Sequence, residues 1–140
     1  MTLAARAGAV AALRDGGITV AGLHGDHTLP AGAIRVEDAA RPSDAARGCD
    51  MLVVTPKAQD IGTALAPFTG NPAPSAVLSM HNGLGASEAI RAVLGPGNPV
   101  YAALMLIGLA RQGMTHAIST AAAGPTHDAL TALIKAREPR

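Results

Sequence analysis

The chain has 140 residues, a formal net charge of +1, 49% hydrophobic residues, 15% charged and 1% aromatic. That length predicts one domain, and the apolar share excludes a chain held open by charge and polarity. The near-neutral balance provides no basic field for nucleic acid and no acidic tail, and with Phe68 and Tyr101 as the only rings the core must come from scattered aliphatic side chains.

Thr2 to Ala5 reads as a short strand closed by Arg6, and Ala7 to Arg14 as an alanine-rich helix ended by Asp15-Gly16-Gly17. Ile18 to Ala21 and Ala33 to Val36 read as strands bracketing a polar turn, Gly22 to Thr28, and so as a small hairpin. After the loop Pro42 to Gly48, Met51 to Thr55 is a continuous apolar run of the kind buried on both faces of a parallel sheet. Asp60 to Leu65 predicts a short helix, Pro67 to Pro74 a loop, and Ala76 to Met80 a second buried strand ending at His81-Asn82-Gly83. Gly85 to Leu94 is helical, Val100 to Ile107 and Met114 to Ser119 are strands around the Gln112-Gly113 turn, and Thr126 to Lys135 is a terminal helix. The alternation predicts an α/β fold with an open, mostly parallel sheet.

In such sheets ligands gather beyond the carboxyl ends of the strands, where Arg6, Lys57 and Asn82 stand. Each has an ordinary structural reading, as a solvated strand end, a helix-flanking charge and a turn dipeptide. Three strands delivering polar groups to one edge is also how an α/β site is assembled. His24-Gly25-Asp26-His27 is a glycine-flanked polar turn without a third ligand at metal spacing, so no metal is predicted. No G-x-S-x-G occurs, and Ser87-Glu88 suits a helix start better than catalysis. Cys49 is the only cysteine and precedes a strand, which excludes an internal disulfide and fits a reducing cytoplasm. The longest apolar run, Val100 to Ala110, stops at Arg111, short of the roughly 20 residues that span a bilayer. Met1 to Arg14 carries Arg6 and Arg14 without an acid, but it lacks the serines and amphipathic period of a transit peptide.

Two segments carry a family resemblance. Cys49-Asp50-Met51-Leu52-Val53-Val54-Thr55-Pro56-Lys57-Ala58 and Val77-Leu78-Ser79-Met80-His81-Asn82-Gly83-Leu84-Gly85 resemble the Lys-Ala and Asn-Gly corners of ketopantoate reductases, the NADPH-dependent 2-dehydropantoate 2-reductases. Leu3-Ala4-Ala5-Arg6 is similar to that family's second strand and cofactor arginine, and Gly113-Met114-Thr115-His116 with Gly124-Pro125 extends the likeness over nearly the whole chain. The resemblance implies a Rossmann-like NADP-binding domain over residues 1–125, followed at 126–140 by the start of a linker helix. It implies that Arg6 faces the 2′-phosphate of NADPH, as suits a planar, always-charged fork. Lys57 would lie near cofactor and substrate carboxylate, and Asn82 near the nicotinamide and the reacting carbonyl. The implied partner is a small 2-oxo acid, reduced to pantoate for the coenzyme A pathway.

The sequence departs from the family in three places. Pro56 leaves Lys57 in register but removes a backbone donor. No G-x-G-x-x-G cradle for the pyrophosphate is present: Gly83-Leu84-Gly85 and Gly95-Pro96-Gly97 begin the pattern, but Glu88 and Val100 stand where its third glycine belongs. The family's proton-donating lysine, on its helical C-terminal domain, has no counterpart, and Lys135 lies in the linker region. These departures imply an incomplete domain, lacking the first strand and its Gly-rich turn, that binds NADPH weakly or not at all by itself and is inactive alone. They also imply a gap of roughly 10 Å between Thr2–Ala5 and the Met51 strand, which either closes by direct pairing or takes in backbone from a second chain. The competing readings are a non-catalytic remnant or interaction module on the same scaffold, and another Rossmann reductase such as a 3-hydroxyacid or glycerol phosphate dehydrogenase.

Overall fold

A computed structural model describes residues 1–23, 25–82, 84–104 and 108–121. The order is β1 (Thr2–Ala5), α1 (Ala7–Gly16), β2 (Ile18–Gly22), β3 (His27–Leu29), β4 (Arg35–Asp38), α2 (Asp44–Arg47), β5 (Leu52–Val54), α3 (Ile61–Leu65), β6 (Val77–Met80), α4 (Ala86–Leu94), β7 (Val100–Ala103), β8 (Gly108–Gln112) and β9 (His116–Ala121). The fold is α/β with mostly parallel pairing, as the alternation predicts.

The core forms around β5-β6-β7, which pair in parallel with Leu52 beside Val77 beside Val100. One face of this sheet packs on α3 and α4, where Val54, Val77, Ile61, Leu65, Ala86 and Ile90 are buried together. Helix α4 forms because its apolar residues recur every three or four positions: Ala86 and Ile90 are buried, and Ala89, Val93 and Leu94 pack beside them. Gly95, at φ 88°, ends it with its N–H on the Arg91 carbonyl. The opposite face is open: Val53, Leu78 and Tyr101 form one row across the three strands, and Val53 and Tyr101 are 46% and 55% exposed. The Met51 run is therefore buried on one face only, and its central valine looks outward.

The expected hairpin is built differently. β2 pairs antiparallel with β3, whereas the second segment of that reading, as β4, pairs in parallel with β1. The cause is α1, whose Arg14 grips the carbonyl of Val36 with Nε at 3.0 Å and Nη2 at 2.8 Å. Val36 is buried, so the helix carries β4 to β1. The Pro42–Gly48 loop contains α2, capped where Ser43 Oγ accepts the N–H of Ala46 at 3.2 Å.

A further sheet of order β3-β2-β9-β8 joins β2 in parallel to β9, and β8 returns antiparallel to β9 through Gly113 at φ 76°. The single sheet expected from the sequence is thus divided, among the described residues, into three sheets. β1 has β4 on one edge and β5 has β6, with no ladder joining β1 to β5 among the described residues, so direct closure of Thr2–Ala5 on the Met51 strand does not occur. The Val100 strand ends at Ala103; residues 105–107 and the predicted helix Thr126–Lys135 lie outside the described residues, as does the proposed 125/126 boundary.

Candidate functional site

The candidate cavity lies beyond the ends of β1, β4 and β5, and neither Lys57 nor Asn82 is among the residues that line it. Arg6 follows β1 in extended conformation at the N-cap position of α1, where its carbonyl accepts the N–H of Ala9 at 2.8 Å and its side chain makes no capping bond. It lines the cavity, of about 530 Å³, with Ala39 and Ala40 beyond β4, Pro56 beyond β5, Asp60 just before α3 and Thr63 within it. Between these polar groups the lining is small and apolar, from Ala39, Ala40 and Ala64.

Lys57 is exposed at the start of a 3-10 turn, Ala58–Asp60, that its carbonyl closes by accepting the N–H of Asp60 at 2.8 Å. Asn82 is exposed two residues after β6. Between these corners lies a contact that sequence reasoning missed. His81 Nε2 is 2.5 Å from the carbonyl oxygen of Pro56, and its Nδ1 is 2.9 Å from Ser79 Oγ. The signal was available in the spacing Ser79-Met80-His81, which puts hydroxyl and imidazole on one side of the strand. Pro56 withholds a backbone donor, as its ring dictates, but its carbonyl anchors the corner. The structure thus brings Arg6 and Pro56 to one cavity and ties the Lys57 corner to the Asn82 corner.

The other candidates are structural. Burial pushes the Cys49 thiol up, which keeps it protonated and poorly nucleophilic. Glu88 lies in the first turn of α4, where the helix dipole favours an acid. Asp26 Oδ1 accepts the N–H of Gly22 at 3.4 Å, His27 lies in β3, and His24 is outside the described residues. A second cleft, about 580 Å³, is lined by Arg14, Arg35, Glu37, Asp38 and Arg41. Two of its cations are engaged within the fold, Arg14 with the Val36 carbonyl and Arg35 with Glu37 at 2.8 Å. No helix among the described residues is long and apolar enough to cross a membrane.

The family model described as Ketopantoate reductase PanE/ApbA matches residues 1–128. The chain belongs to the ketopantoate reductase family. Among solved structures, it is similar to a probable 2-dehydropantoate 2-reductase from Bacillus subtilis, with a TM-score of 0.62 and 19% identity over 85% of this chain and 38% of that one. It is similar also to the 2-dehydropantoate 2-reductase of Geobacter metallireducens GS-15, with a TM-score of 0.65 and 18% identity over 96% of this chain and 46% of that one. A D-mandelate dehydrogenase solved with NADH and anilino(oxo)acetate matches with a TM-score of 0.68 and 13% identity over 96% of this chain and 45% of that one. No curated protein matches the sequence. At these identities the structural likeness shows the fold, a Rossmann-like domain of the ketopantoate reductase type, and the chain spans less than half the length of these three structures.

Proposed function

We propose that this chain is the cofactor-binding part of an NADPH-dependent reductase of a small 2-oxo acid, with ketopantoate as the family's substrate. The observation that carries the reading is the placement of Arg6 and Pro56 on one cavity, with Lys57 beside Pro56. The residues present fit the phosphate-bearing end of NADPH. A guanidinium on the rim holds a 2′-phosphate by paired, charge-assisted hydrogen bonds, and the walls of Ala39 and Ala40 leave room for a purine. Asp60, being an acceptor, suits the amino or hydroxyl hydrogens of adenosine and not its phosphate. Lys57 supplies a compact positive charge that draws the substrate carboxylate, and Asn82 supplies an amide to orient the reacting carbonyl. When bound, NADPH supplies the hydride that reduces the 2-ketone.

The absence of a G-x-G-x-x-G run from these 140 residues supports weak binding by the chain alone. The single cysteine supports a cytoplasmic setting. Calorimetric titration tests the reading against a non-catalytic module on the same scaffold. NADPH should bind, weakly and more tightly than NADH, and Arg6→Ala should cost about 10- to 100-fold, the worth of a charged hydrogen bond. No binding, or equal binding of the two nucleotides, rejects it.

A further inference from the structure

We propose that His81 is the positioning residue of this site, a clasp fixed in one tautomer that holds the Lys57 corner and the Asn82 corner in register so that ammonium and amide meet one ligand together. The inference rests on the cofactor reading above for its ligand, but its geometry is independent of it. The last ladder position shared by β5 and β6 pairs Val54 with Ser79. Beyond it the backbone cannot continue pairing at Pro56, which has no N–H to donate. His81 replaces the missing rung with its side chain and joins residues 25 apart in sequence.

The direction of each bond follows from the atoms. A carbonyl oxygen only accepts, so Nε2 carries the hydrogen given to Pro56. In the neutral ring Nδ1 is then bare and accepts the hydroxyl hydrogen of Ser79, whose residue is 2% exposed. The Pro56 carbonyl thus sets the tautomer, and the Ser79 hydroxyl, able to donate or accept, turns to suit it. Lys57 and Asn82 each lie one residue from the clasp. A shift of about 1 Å between two such groups is enough to spoil joint recognition of a single ligand.

The test uses the isotope-labelled 140-residue chain with His81→Phe, which removes both bonds, and His81→Gln, which keeps an N–H donor near Nε2. The probes are NADPH and adenosine 2′,5′-bisphosphate, which has the phosphate end without the nicotinamide. Imidazole nitrogen spectra of the wild type should show the Nε2–H tautomer. His81→Phe should weaken NADPH about tenfold and leave the bisphosphate within about twofold, and His81→Gln should recover most of the loss. Equal weakening of both probes, no weakening, or no recovery by glutamine overturns the proposal. Should His81→Phe fail to fold, His81→Asn, polar but too short to reach Pro56, takes its place. If the wild type binds neither probe, the cofactor reading falls and the clasp is judged from the free chain. It stands if the Phe variant, and not the Gln variant, moves the Lys57 and Asn82 signals while those of Arg6 stay. It falls if those signals stay put or the Nδ1–H tautomer is found.

Discussion

Ser43 donates both its backbone N–H and its hydroxyl to the carboxylate of Glu37, at 2.8 Å and 2.9 Å. Arg35 Nε adds a contact of 2.8 Å to the same carboxylate. The backbone bond from Ser43 is the main reason the Glu37 carboxyl titrates below its ordinary value of 4.5, and burial works against it. Because the folded carboxyl is the stronger acid, its stabilisation is complete above the unfolded value and drains away as pH falls through the folded one. Glu37→Gln should therefore cost about 1 kcal/mol at neutral pH, and the two proteins should converge in acid. Thermal melts from pH 7 to pH 3 check this, and a gap that stays constant throughout would refute it.

Gly17 ends α1 at φ 67°, and a Cβ there would stand 2.2 Å from the carbonyl oxygen of Leu29. Gly17→Ala should destabilise by at least about 1–2 kcal/mol, since backbone must move. Gly8, within α1 with nothing inside 4 Å of its would-be Cβ, is the control. Gly8→Ala should stabilise by roughly 0.5 kcal/mol. Denaturant midpoints of the two variants should move in opposite directions.

Ile90 is wholly buried between α4 and the β5-β6-β7 sheet. Removing its outer carbons leaves a cavity in a core with few large side chains, so Ile90→Ala should cost about 2–5 kcal/mol, a large part of a domain's usual margin of about 5–15 kcal/mol. Loss of the cooperative urea transition at room temperature is the expected readout, and a midpoint near wild type would contradict the assignment of the core.

The open row Val53, Leu78 and Tyr101, together with the inner edges of β1 and β5, invites pairing between copies. We expect the isolated chain to self-associate with rising concentration. Val53→Lys, at an exposed position, should reduce that association with little change in melting temperature. Light scattering decides it: a monomer at all concentrations would remove the expectation.

Much of this architecture was legible because the strongest signals are local. The run at Met51 and the three-to-four-residue period of Gly85 to Leu94 mark β5 and α4 from sequence alone. The partner of β4 was not legible, because the grip of Arg14 on Val36 links residues 22 apart and leaves no periodic trace. The exposure of Val53 was hidden for the same reason, since one buried face and two yield the same apolar run in a three-residue strand. At the site, the order strand, then polar residue, singled out Arg6, Lys57 and Asn82, and the family corners reinforced it. His81 escaped because its role depends on a carbonyl from another strand end.

Whether the ends of β1, β5 and β6 form one cofactor site is decided by mapping NADPH on the amide spectrum of the labelled chain. Arg6, Ala39, Ala40, Lys57, Asp60 and Asn82 should shift together along a single binding curve. Shifts gathered instead around Arg14 and Arg41, or separate curves for Arg6 and Lys57, would contradict it.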